Sequence, residues 1–300
     1  MAFNRGYAYC DRIGASATGV TVLTYLSSRY RHSSESVWRA RLELGEVSIG
    51  GVVARVDSIL KGGDCLTWRR PPWDEPEVPL DFAVLYQDES MLAVAKPSGL
   101  PTVPAGGFLE HTLFARVRRV DPSAAPIHRL GRGTSGIVLF ARTREARTRL
   151  CEELRLNRMT KTYRALVQGN PSRERFAVTA PIGPVPHLAL GTVHAASEMG
   201  KPALSEVRVI EQRQGASLVE IGIRTGKPHQ IRIHLAVAGH PLVGDPLYAT
   251  GGQPGAMSHA LPGDTGYRLH AERIVLHPPG TAVSTEIWCA PPPDLRAPWE

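Results

Sequence analysis

Residues 128–141 read HRLGRGTSGIVLFA, and Gly131, Gly133 and Gly136 within them spell G-x-G-x-x-G, the dinucleotide-binding pattern. That pattern works only after a buried strand and at the opening of a helix, because the pyrophosphate rests on the helix N-terminus. Here the neighbours are inverted. The polar, proline-bearing Pro126-Ile127-His128-Arg129 comes before the glycines, and the β-rich Ile137-Val138-Leu139-Phe140 comes after them. GTSG also lacks the residue that a G-x-S-x-G nucleophile elbow places after its serine. The stretch is therefore a loop that enters a strand, which sets aside both a nicotinamide-dependent oxidoreductase and a serine hydrolase.

Outward from this loop, strand-like runs dominate: FAVLYQ, MLAVAKP, YRALVQG, SEVRVIEQ and SLVEIGIRTG. TREARTRLCEELRLN places Ala146, Leu150 and Leu154 at helical spacing behind a Thr143 cap, and IRIHLAVAG reads as a shorter helix. Many strands with few intervening helices predict an α+β fold with a mixed, mainly antiparallel sheet over residues 81–300. PPWDEPEVP at Pro71–Pro79 is a proline- and acid-rich break, so residues 71–80 are expected as a linker.

Residues 19–70 read as a small separate unit behind an N-terminal extension, residues 1–18. VTVLTYLSSRY predicts a helix, and Ser33 or Ser34 caps a second, in which Val37, Ala40 and Leu44 line the inner face while Arg39 and Arg41 point outward. Gly45 suits the left-handed C-terminal position, and Gly50-Gly51 predicts a hairpin turn. This order resembles the small RNA-binding module of the S-four type, on Gly45, Val47, Ile49, Gly51 and Gly63-Asp64. The arginines Arg29, Arg31, Arg39 and Arg41 suit a phosphate partner.

The chain has 300 residues, 42% hydrophobic and 21% charged, which describes a globular protein and not a disordered one. Basic residues exceed acidic ones by 7, which fits a polyanionic partner. No apolar run reaches the ~18 residues a membrane span needs. The opening MAFNRGYAYCDRIG has no secretory apolar core, so a cytoplasmic location is expected. The four cysteines are scattered with no CxxC, and the spacing of His229, His234, His240 and His270 matches no familiar ligand set, so neither a disulfide framework nor a metal is expected.

Four stretches in order resemble the RluA-type pseudouridine synthases: DESMLAVAKPSGLPTVP with its Lys96-Pro97-x-Gly99-Leu100 turn, HRLGRGTSG, KTYRALV, and TGKPHQIRIHLAVAGHPLVGDPLY. The resemblance implies isomerisation of uridine to pseudouridine in ribosomal or transfer RNA, which is RNA modification during rRNA processing, by a monomer that needs no cofactor. It implies that Tyr163 lies against the target base and that Arg232 pairs with the motif's nucleophilic aspartate. Arg129, Arg132, Thr134, Lys161, Lys227 and His229 match positions expected to bind the RNA. A flipped uridine would need such a stacking platform and a positive channel.

The sequence departs from that pattern at its centre. The nucleophile position holds Gly131, and Lys227-Pro228 stands where arginine and threonine are common. Three readings stay open: a catalytically silent RNA-binding relative, an enzyme that recruits another carboxylate (Asp245 or Asp121), or a substituted descendant of an active parent. An Arg232 without its aspartate would be a costly buried cation, so an anion, a water cluster or another acid is expected beside it.

Overall fold

A computed structural model describes residues 3–255 and 259–300, and the chain divides into two compact units, Met1–Glu75 and Pro76–Glu300. No helix among the described residues is long and apolar enough to cross a membrane.

The first unit runs β1 (Tyr7–Arg12), α1 (Val22–Arg29), α2 (Glu35–Glu43), β2 (Val47–Ile49), β3 (Val52–Val53) and β4 (Cys65–Arg70). Its four-stranded sheet has the order β1-β4-β2-β3. β1 lies in the segment expected as an extension, yet it pairs with β4 from Tyr7 opposite Arg70 to Arg12 opposite Cys65. The sequence hides this strand because none of its residues is buried: backbone bonding holds it, without an apolar face. Ser34 caps α2 by accepting from Val37 N–H. The buried face of α2 carries Trp38 and Leu42, while Val37, Ala40 and Leu44 are exposed, which corrects the expected orientation. An indole has far more apolar surface to hide than a valine, and it sets the helix rotation.

The second unit contains β5 (Ala83–Gln87), β6 (Met91–Lys96), α3 (Leu113–Val120), β7 (Ala125–Pro126), β8 (Ser135–Ala141), α4 (Arg144–Arg155), β9 (Thr160–Gln168) and β10 (Arg175–Val178). It continues with β11 (Ile182–His187), β12 (Gly191–Ala196), β13 (Ser205–Arg213), β14 (Ala216–Ile223), α5 (Gln230–Val237), β15 (Leu269–Leu276) and β16 (Thr285–Trp288). The main sheet follows the order β10-β13-β14-β9-β15-β8-β6-β5, with β16 beside β15 and β7 beside β8. Among the described residues only the β15–β8 pair is parallel, so the sheet is mixed and mainly antiparallel, as expected.

Both faces of the central strands are covered, which explains their continuous apolar runs. Along β8, Val138 and Phe140 enter one core with α3 residues Leu113 and Val117, while Ile137 and Leu139 enter the opposite core with α4 residues Ala146 and Leu150. α3 was not foreseen, although Thr112 caps it by accepting from Ala115 N–H and Leu113 and Val117 sit at helical spacing. Its eight residues give only about two turns of the apolar repeat, too few to stand out. α5 is buried on every side from Gln230 to Ala236, so it lies inside the unit and not on its surface.

Candidate functional site

The loop 128–134 runs into β8 and is held by the turn 96–102. Lys96, buried at the end of β6, donates to the carbonyls of Pro97, Leu100 and Arg132. Burial pushes its ammonium down to about 7. Gly99 N–H also donates to Arg132 O, Ser98 Oγ donates to Gly133 O, and Thr102 Oγ1 both donates to Leu130 O and accepts from Leu130 N–H. Thr134 N–H closes the turn on Gly131 O at 3.0 Å. Each of these bonds fixes a loop carbonyl or amide that a flexible segment would leave to water. The sequence shows the Lys-Pro-x-Gly-Leu turn but not this bracing role.

Sheet register places the next element. Gly136 lies opposite Ala271 of β15, and Ala271 lies opposite Tyr163 of β9. The loop, β15 and the tyrosine therefore stand on three adjacent strands. Tyr163 is buried in the same core as Leu130, Ile231 and Tyr267, and burial pushes its phenol up to about 12.

Arg232 comes from α5. Its side chain is 2% exposed and that of Asp245 is 1% exposed. Nε and Nη2 of Arg232 donate to the two Asp245 oxygens at 2.7 Å each, and Nη1 donates to Pro262 O at 3.2 Å. Burial pulls the guanidinium pKa down, but the bonds and charge of Asp245 outweigh it and the net direction is upward. The acid expected beside Arg232 is thus Asp245. It is not a free carboxylate, since Oδ1 also accepts from Leu247 and Tyr248 N–H. With its oxygens engaged in this way and its side chain 1% exposed, Asp245 serves as the partner of Arg232. Asp121 ends α3, where it accepts from Arg142 and Ser123, so it is committed elsewhere.

The residues before Arg232 keep α5 in place. Gln230 Oε1 accepts from Thr225 Oγ1 and Lys227 N–H, and its amide donates to Leu204 O. His229 adopts a left-handed φ of 55° just ahead of the helix. Tyr248 Oη donates to His194 O, so it accepts from His229 Nδ1–H at 2.8 Å. Burial, followed by the Arg232 charge, pulls His229 down to about 3, so it is neutral.

Tyr267, just before β15, was not singled out by the sequence. Its ring lies 4.2 Å from the Arg232 guanidinium carbon, and its hydroxyl is 3.2 Å from Thr134 Oγ1. A Cβ at Gly131 would stand 2.7 Å from the Tyr267 hydroxyl, and a Cβ at Gly133 would stand 2.9 Å from the ring. The G-x-G spacing is therefore a cradle for a tyrosine ring. No spacing rule links residue 131 to residue 267.

The remaining expected RNA contacts separate by exposure. Arg129 is exposed, and Arg132 and Lys227 are half-buried. Thr134 and Lys161 are buried, and burial lowers the lysine pKa. In the first unit Arg39 is exposed beside Glu35. Arg41 does not point outward as expected: its guanidinium lies 4.5 Å from the Trp38 ring and 4.2 Å from the Trp68 ring, and donates to Ser33 Oγ. Contact with the two indole rings, which stand nearly perpendicular to each other, holds it as part of the fold.

The family model described as RNA pseudouridylate synthase matches residues 90–237. An RNA pseudouridine synthase of Synechocystis is 40% identical over 279 residues, 92% of this chain and 96% of that protein. The chain belongs to the RNA pseudouridine synthase family. Within that family, the ribosomal large subunit pseudouridine synthase D of Yersinia pestis is 33% identical, over 74% of this chain and 70% of that one. The structure of human RNA pseudouridylate synthase domain containing 1 superposes with a TM-score of 0.56 at 25% identity, over 74% of this chain and 89% of that chain. The match to a pseudouridine synthase spans the braced loop, Tyr163 and Arg232 together.

Proposed function

We propose that the unit Pro76–Glu300 isomerises uridine to pseudouridine in structured RNA, ribosomal or transfer, and that the chain acts as a cytoplasmic monomer with no cofactor. The observation that carries this reading is Arg232, a cation held ionised by Asp245 and nearly fully buried at the end of His229-Gln230-Ile231-Arg232. A buried guanidinium is costly to keep, and it suits a site where negative charge develops. Tyr163 supplies a phenol kept neutral beside the target base, Arg129 and Lys227 offer positive charge to the backbone, and Thr134 lies within hydrogen-bond reach of Tyr267. The first unit, read as an S-four-type module, adds grip on the RNA through the exposed Arg29, Arg31 and Arg39.

The test is conversion of ribosomal and transfer RNA prepared from cells lacking the gene, scored by base-resolved pseudouridine chemistry. The unaltered chain is expected to form product. Tyr163→Phe is expected to lose product by at least about 100-fold while RNA affinity stays within about twofold. RNA binding with no product from the unaltered chain would instead identify a catalytically silent RNA-binding relative.

A further inference from the structure

The site contains a second tyrosine whose hydroxyl stands inside the space that a side chain at residue 131 would need. An aspartate oxygen lies about 2.4 Å from its own Cβ by ordinary bond lengths. The Tyr267 hydroxyl lies 2.7 Å from the Cβ position of Gly131, on nearly the same radius. Its ring fills the room left by two glycines in the loop that Lys96, Ser98 and Thr102 brace. The hydroxyl is 3.2 Å from the buried Thr134 Oγ1, and the ring faces the Arg232 cation at 4.2 Å. The two carboxylates the sequence offered are engaged elsewhere, Asp245 with Arg232 and two amides and Asp121 with Arg142.

From this arrangement we propose that Tyr267 is the nucleophile of this chain, its phenolic oxygen replacing the aspartate oxygen absent at Gly131. The proposal rests on the isomerase reading above. Phenols serve as nucleophiles at sugar carbons in other enzymes, so the chemistry is available to this side chain. The Tyr267 oxygen bonds to C1′ of the target ribose as the N1–C1′ bond breaks, and that electron pair leaves on the uracil. The phenolic proton passes through the Thr134 hydroxyl to the departing ring. The detached uracil turns, its C5 bonds to C1′, the Tyr267–C1′ bond breaks, and the C5 proton returns to the Tyr267 oxygen. One N–C bond is exchanged for one C–C bond, a hydrogen moves from C5 to N1, and nothing is oxidised. Arg232 stabilises the phenolate charge as it forms and re-forms.

The experiment compares four chains on the same gene-deleted RNA: unaltered, Tyr267→Phe, Gly131→Asp, and the Gly131→Asp/Tyr267→Ala double variant. The expected result is product from the unaltered chain and a loss of at least about 100-fold in Tyr267→Phe. That loss should leave RNA affinity and melting temperature near the unaltered values, with product regained in the double variant, where a carboxylate returns to vacated space. Gly131→Asp alone should be impaired, since its carboxylate and the Tyr267 ring compete for one volume. Full activity in Tyr267→Phe overturns the proposal and leaves the isomerase reading standing. An inactive unaltered chain beside an active double variant overturns both, and makes Tyr267 a plug in a silent relative.

Discussion

Arg232 shows how one residue can commit a whole pocket. Its fork pairs side-on, through Nε and Nη2, with Asp245 in a buried position, and such a pair is stable only while both partners are present. Asp245→Asn should therefore cost about 3–5 kcal/mol, because it leaves a desolvated guanidinium facing a neutral amide. Urea unfolding checks this, and a cost below about 1 kcal/mol would mean that the arginine escapes to solvent. The sequence identified Arg232 as charged and purposeful, and required a partner for it. It named Asp245 only as an alternative acid, because the thirteen-residue separation from Arg232 says nothing about which side chains meet. Tyr267 was missed altogether, since a tyrosine beside a strand has the composition of ordinary core.

At the scale of elements, strands and caps were the most legible. The apolar runs of β6, β8 and β14 announce themselves because both sheet faces are buried, and Thr143 caps α4 as its spacing predicts. Thr143→Ala should cost about 1 kcal/mol, the usual worth of one capping bond. Gly136, by contrast, sits at φ 107° where a Cβ would fall on the backbone of Ala271 in β15. Gly136→Ala should cost more than about 2 kcal/mol in urea unfolding, through strain and the broken β8–β15 contact together. A neutral result would show that these strands part easily at the site. The elements that escaped the sequence include β1, held by backbone pairing, the short helix α3, and the strands β7, β10, β11, β12, β15 and β16.

At the scale of the whole molecule, histidines couple the fold to pH. Burial pulls His128 down to about 4 and His229 to about 3, against about 6.5 in an unfolded chain. His128 Nε2 also accepts from Leu139 N–H, a bond that a proton at that nitrogen would end. Between pH 6.5 and these lowered values the unfolded chain binds protons that the fold refuses, so stability falls as pH falls. The contribution approaches about 1.4 kcal/mol per histidine per pH unit, and it is present in full above about pH 7. Unfolding midpoints at pH 7 and pH 5 should differ accordingly, and replacing His128 with a neutral glutamine should flatten the slope.

The sequence by itself determined the α+β class, several of the strands, the loop that enters β8 and the family resemblance, because periodicity and short motifs are local. Only the tertiary structure decided that Asp245 is the partner of Arg232, that Lys96 braces the loop, and that the Tyr267 oxygen stands beside the place Gly131 leaves open. Those contacts join residues far apart in the chain, and which side chains fill a shared volume is fixed only when the strands that carry them are packed side by side.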